Sequence, residues 1–239
     1  MKNNKKLIII TSIIVLVIVG AVVSLIIYMN SGNDDDTSYS DDAYYENDNS
    51  SNSKKTTEEL TESEKMITKI MSLIQEKLAF DTGNYIKGDI PKGEYAFIKF
   101  EGSGSYYSEK DASGSILDNE NFDSFGYVKV HEVGNLETNG VLINITAFEK
   151  LGVSGAKEIY EILNDLTNYN QSGYYKVGTD IEAGNYIVES IGSEGYYSIK
   201  SGPVSGGKIL DNDFVDGRAS IKLKNGQYIE ISKLELIKQ

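Results

Sequence analysis

The chain has 239 residues and a net charge of −13, with one His, no Cys, no Trp and 17 Tyr. These numbers exclude a disulfide scaffold, a thiol nucleophile and a Cys-based zinc centre, and they ask for no cofactor. The acid excess argues against nucleic acid, whose phosphates need clustered Lys and Arg, and it suits a solubilising exported surface.

Residues 7–29 are apolar apart from Thr11, Ser12, Gly20, Ser24 and Tyr28. At 1.5 Å per residue this stretch would span about 34 Å, enough for a hydrocarbon core of about 30 Å. Lys2, Lys5 and Lys6 precede it, and no basic residue follows before Lys54. The expectation is a single-pass cell-membrane protein whose N-terminal tail, residues 1–6, is cytoplasmic and whose remainder is extracellular. The lipid bilayer is then a partner through residues 7–29. A cleaved signal peptide would have a shorter apolar region and a small-residue cleavage site, which Ile-Ile-Tyr28-Met-Asn does not offer. Residues 30–57 are Asp-, Asn- and Ser-rich, which predicts a disordered linker with a reach of about 30 Å.

An amphipathic helix is expected over residues 58–80, with Ile67, Ile70, Met71, Ile74 and Leu78 as its stripe and Gly83 as its stop. Both Thr56…Glu59 and Thr61…Glu64 have capping-box spacing, so either can start it. A second, connecting helix is expected within residues 149–170, capped by Ser154 and carrying Ile159, Ile162, Leu163 and Leu166. Ser154 and Lys157 match Ser-x-x-Lys, but the accompanying Lys-Thr-Gly and Ser-Asp-Asn motifs of penicillin-recognising enzymes are missing from the sequence.

The remaining sequence says much the same thing twice. Asp89-Ile-Pro-Lys-Gly-Glu-Tyr95 answers to Asp180-Ile-Glu-Ala-Gly-Asn-Tyr186, and Gly-Ser-Tyr106-Tyr107-Ser to Glu-Gly-Tyr196-Tyr197-Ser. Ile116-Leu-Asp118-Asn119, followed by Phe122, answers to Ile209-Leu-Asp211-Asn212, followed by Phe214. Asn139-Gly-Val-Leu-Ile-Asn-Ile145 is matched to Asn225-Gly-Gln-Tyr-Ile-Glu-Ile231, with an insertion in copy one around residues 131–138. Short strand-like runs between Gly-rich turns predict two tandem β-sandwich or barrel-like repeats, over residues 83–148 and 173–239, in a mainly β protein with two accessory helices. Leu223-Lys-Asn225-Gly226-Gln-Tyr reads as a hairpin. Each copy is small for independent stability, so the two are expected to pack together or against a helix.

The repeat resembles one found in uncharacterised surface proteins and lipoproteins of Gram-positive bacteria and their phages. The shared features are Asp-Ile-Pro-x-Gly-x-Tyr, a Gly-Tyr segment, a hydrophobic-x-Asn-x-Phe step and a closing Asn-Gly-Gln-Tyr. The resemblance covers residues 85–145 and 175–232; copy two has Glu182 for the Pro, and copy one has Val141-Leu142 for the closing Gln-Tyr. It implies an exported β module and carries no activity.

Catalysis finds little material: His131 stands alone and is expected to be a solvated loop side chain, and no phosphate loop is present. Asp and Glu are plentiful enough to leave a wall-active hydrolase as a remote alternative. The reading is a non-enzymatic binding module for a cell-wall polymer, surface protein or host component, with a structural spacer or assembly element as the alternative. In each Tyr doublet one ring should enter the core and the other face out as a ligand platform. The candidates are Tyr106, Tyr107, Tyr196 and Tyr197, with replacement of Tyr107 and Tyr197 expected to release the ligand. Asp118, Asn119, Asp211 and Asn212 read either as turn chemistry or as a ligand-contacting loop, without the spacing of a calcium site.

Overall fold

The computed structural model describes residues 60–100 and 103–239; the predicted membrane segment, cytoplasmic tail and linker lie outside the described residues. The first element, α1 (Glu62–Gln75), starts at the second of the two capping boxes. Thr61 accepts from the Glu64 backbone N–H, and the Glu64 side chain reaches back to Thr61. The helix stops well before Gly83, because Lys77 turns into the left-handed region. Its buried face is Met66, Ile70 and Leu73, one residue away from the predicted stripe, which leaves Ile67 exposed.

Copy one contributes β1 (Ala79–Phe80), β2 (Gly83–Tyr85), β3 (Gly93–Ile98), β4 (Tyr106–Lys110), β5 (Ile116–Asn121), β6 (Phe125–Val130), β7 (Leu136–Thr138) and β8 (Val141–Asn144). After α2 (Phe148–Leu151) and α3 (Ala156–Leu163), copy two contributes β9 (Gly173–Lys176), β10 (Gly184–Ser190), β11 (Gly195–Lys200), β12 (Ile209–Val215), β13 (Arg218–Leu223), β14 (Tyr228–Ser232) and β15 (Leu234–Lys238). One sheet of each copy has the order β2-β7-β4-β5 or β9-β14-β11-β12, and the other β6-β3-β8 or β13-β10-β15. In both copies the chain alternates between its two sheets in the same sequence, which establishes the duplication at the level of topology. Copy one adds β1 beside β8.

The recurring Tyr motif has a structural use. Tyr85, Tyr95, Tyr175 and Tyr186 each stand two residues after a Gly at the start of a strand. Each donates its hydroxyl to the carbonyl four residues upstream: Asp81, Pro91, Gln171 and Glu182. Asp89 and Asp180 close the preceding turns by accepting the Ile86 and Lys176 N–H groups. The most recognisable words of the repeat are therefore strand-entry corners.

Strand pairing revises the sequence matching. Ser108 pairs with Glu137 on β7, and its counterpart Ser198 pairs with Glu230 on β14. Thus β7 answers to β14, and Asn139-Gly140, which follows β7, is not equivalent to Asn225-Gly226, which precedes β14. The apparent insertion around residues 131–138 dissolves, since residues 131–135 and 224–227 connect equivalent strands. The larger length difference is residues 201–208, three residues longer than residues 111–115 of copy one. Asn225-Gly226 does turn, with Gly226 at φ 81°, but β13 and β14 belong to different sheets, so it is an arch and not a hairpin.

The extra length in copy two joins the copies. Val204 exchanges backbone hydrogen bonds with copy one's β6, donating to the Tyr127 carbonyl and accepting from Lys129. Beside it β9 and β14 of copy two pack against β3 and β6. Tyr228 donates to Glu94, which also pairs with Lys176 at 2.7 Å, and the Tyr174 ring meets Phe122 edge-on. The described residues from Leu60 onward form one compact unit, with a core cluster shared by both copies.

The connecting helix is shorter than expected, and its cap is not Ser154. Gly155 is the N-cap of α3, and the capping groups come from elsewhere in the fold. Asp180 accepts from the Lys157 N–H at 3.0 Å, and Tyr127 accepts from the Ala156 N–H at 3.0 Å. A Cβ at residue 155 would lie 2.2 Å from Asp180 Oδ1, so Gly is required for this approach.

Candidate functional site

The Tyr doublets divide as strand alternation demands, but the buried members are the second ones. Tyr107 is fully buried and Tyr197 is 6% exposed, while Tyr106 and Tyr196 are half-buried on the opposite side of their strands. Tyr107 and Tyr197 therefore cannot be the ligand platform. Tyr197 donates to Asp211 at 3.1 Å, and burial pushes its hydroxyl up to about 12. Tyr107 has no such partner, because Asp118 is engaged by the Ser205 N–H of copy two at 2.6 Å.

Asp118-Asn119 and Asp211-Asn212 lie on β5 and β12, the edge strands of their sheets, and not in turns. Several carboxylates on these strands fold onto the next backbone N–H: Asp118 onto Asn119, Glu120 onto Asn121 and Asp213 onto Phe214. This occupies donors that an edge strand would otherwise offer to another chain. Pairing also separates Phe122 from Phe214. Asn121 faces Tyr106 as Phe214 faces Tyr196, so Phe122 answers to Val215. A one-residue slip moves a side chain to the other face. Phe122 accordingly stacks on Phe97 in the core, while Phe214 is 65% exposed with its ring 5.1 Å from Tyr196.

Cross-strand partners share a face, so the registers define a row of side chains across copy one: Asn119, Ser108, Glu137 and Asn84. Beside it runs a second row in which Tyr106 pairs with Asn121 and its carbonyl accepts from the Asn139 N–H. Copy two repeats the first row as Asn212, Ser198, Glu230 and Tyr174. There Glu230 pairs with Lys200 at 2.9 Å, Lys200 lies over the Tyr174 ring, and Tyr174 docks on copy one. A crevice of about 70 Å³ at this contact is lined by Glu120, Asp123 and Glu230. Burial, then the Glu230 charge, raises the pKa of Glu120.

In copy one the same row is open. Among the described residues, the side chains of Asn84, Tyr106, Asn119, Asn121 and Glu137 enter no hydrogen bond or ion pair, and the buried Ser108 hydroxyl has no partner. Of the predicted site residues, the fold thus gathers Tyr106 and Asn119 on one face and Tyr196 and Asn212 on its equivalent, and assigns Tyr107, Tyr197, Asp118 and Asp211 to internal contacts. Sequence reading missed Asn84, Ser108, Asn121, Glu137 and Phe214. The Tyr-Tyr-Ser triplets were the one visible signal of a retained face.

His131 is also placed differently. Its Nδ1 lies 3.0 Å from Glu109, whose carboxylate is buried and accepts the His131 and Glu132 N–H groups. Ile199 occupies the position of Glu109 in copy two, so the pair braces the turn of one copy. Ser154 and Lys157 do not meet; Lys157 pairs with Glu161. No group of acidic or His residues suited to a metal ion occurs among the described residues. Comparison with known proteins finds no matching family model, no matching curated protein and no matching solved structure.

Proposed function

We propose that residues 60–239 are a non-catalytic binding module, held outside the cell by the apolar segment at residues 7–29, that recognises a cell-envelope or host component. The binding face is the open β2-β7-β4-β5 surface of copy one, centred on Tyr106, with the Tyr196–Phe214 shelf of copy two as a second contact. The observation that carries this reading is retention without internal use. Tyr, Asn and Glu recur at equivalent positions of both copies, yet in copy one their side chains enter no hydrogen bond or ion pair.

The test is capture by residues 58–239 from isolated wall polymers and envelope extract, compared with Tyr106→Ala and Tyr196→Ala. Saturable capture that weakens in these variants but persists in Tyr197→Phe supports the reading. Failure of the folded module to capture any component refutes it and favours a spacer.

A further inference from the structure

The open face of copy one also carries information about the class of ligand. It resembles the face by which copy two docks, so a second copy of the chain is the first occupant to consider. The docking groups are absent: Asn84 stands where Tyr174 meets copy one, and the surface that receives it has no repeat either, with Ser220 of β13 in place of Tyr127. Stacking therefore ends at two copies. Strand addition at β5 is opposed by the carboxylates that occupy its N–H groups.

What remains is a flat polar row about 14 Å long, from three strand spacings of about 4.8 Å. Asn84 and Asn119 each present amide donors and a carbonyl acceptor and Glu137 accepts, while the Ser108 hydroxyl is closed beneath its neighbours. A ligand that fits must itself alternate donors and acceptors, as hydroxyl and acetamido groups do. Glu137 in the centre and a net charge of −13 oppose a polyanion such as a phosphate polymer, with Lys110 at the end of β4 as a cation on the same side. One carboxylate is too few for a hard cation, which takes six or more oxygens. The row also lacks the apolar anchor cluster of a protein interface. Tyr106 supplies one half-buried ring beside the row, able to lie against the apolar face of a sugar.

From these complementarities we infer that the copy-one face binds an uncharged glycan strand, an inference that rests on the binding-module reading above. Hydroxyls of the glycan meet Asn119, Glu137 and Asn84, and Tyr106 packs under one ring. Binding is insensitive to salt, since the ligand carries no charge for the face to pair with.

The test uses the full chain in detergent, titrated with three probes: an N-acetylglucosamine oligosaccharide, a neutral glucan oligosaccharide and poly(glycerol phosphate). The expected result is saturable binding of a neutral probe, unchanged by added salt. Asn119→Ala and Asn84→Ala, both at exposed positions, should each weaken it about five- to tenfold, the loss of about one hydrogen bond. Tyr106→Ala should weaken it further, with unfolding midpoints confirming that all three variants are folded. Binding of the anionic polymer alone, or neutral binding indifferent to these variants, overturns the glycan assignment. If neutral probes fail while envelope capture still depends on Tyr106, the module reading stands and the ligand class falls. If both fail, both fall.

Discussion

Asp180 offers the sharpest test of how the copies are joined. Its carboxylate is hemmed in by Tyr127, Lys157 and Lys176, and that desolvation outweighs three accepted hydrogen bonds, raising its pKa from 3.8 to about 6. A group whose folded pKa lies above its unfolded one adds stability below the unfolded value and loses it as pH rises through the folded value. The shift corresponds to about 3 kcal/mol, lost between about pH 4 and pH 6. Asp180→Asn keeps the shape without the titration. The stability of the wild type minus that of the variant, from urea unfolding of residues 58–239 at pH 3.5, 5 and 7, should therefore fall by up to about 3 kcal/mol across the series. The difference cancels the titration of all the other carboxylates. A flat difference would mean that the carboxylate is better solvated than its surroundings indicate. A rising one would mean that the hydrogen bonds dominate, and either refutes the argument. Gly155→Ala probes the same junction by clash, and should cost about 1–3 kcal/mol at every pH.

Three further outcomes follow from the comparison of the copies. Tyr107→Phe removes a buried hydroxyl without a partner and should leave the urea midpoint unchanged or higher, whereas Tyr197→Phe loses the bond to Asp211 and should cost about 1 kcal/mol. Phe122→Ala should cost about 3–5 kcal/mol and Phe214→Ala less than about 0.5 kcal/mol, although the two look equivalent in sequence. Glu109→Ile, the residue of copy two, should speed amide hydrogen exchange at His131 and Glu132, whose N–H groups it no longer receives.

The sequence by itself determined the β class, the duplication, the capped first helix and the division of each Tyr doublet between core and surface. These are local properties: turn residues at fixed offsets, a capping box, and a period of two. The tertiary structure decided everything that depends on which strand lies beside which. It set Asn139-Gly140 and Asn225-Gly226 at non-equivalent places, sent Phe122 inward and Phe214 outward, and gave α3 a cap from Asp180, 25 residues beyond Gly155. It also buried Tyr107 and left Tyr106 nearer the surface, and it brought Asn84, Ser108, Asn119 and Glu137, which are scattered along the chain, into one row across a sheet. The physical reason is that strand register is fixed by long-range pairing and core packing, and with a side-chain period of two a slip of one residue reverses inside and outside.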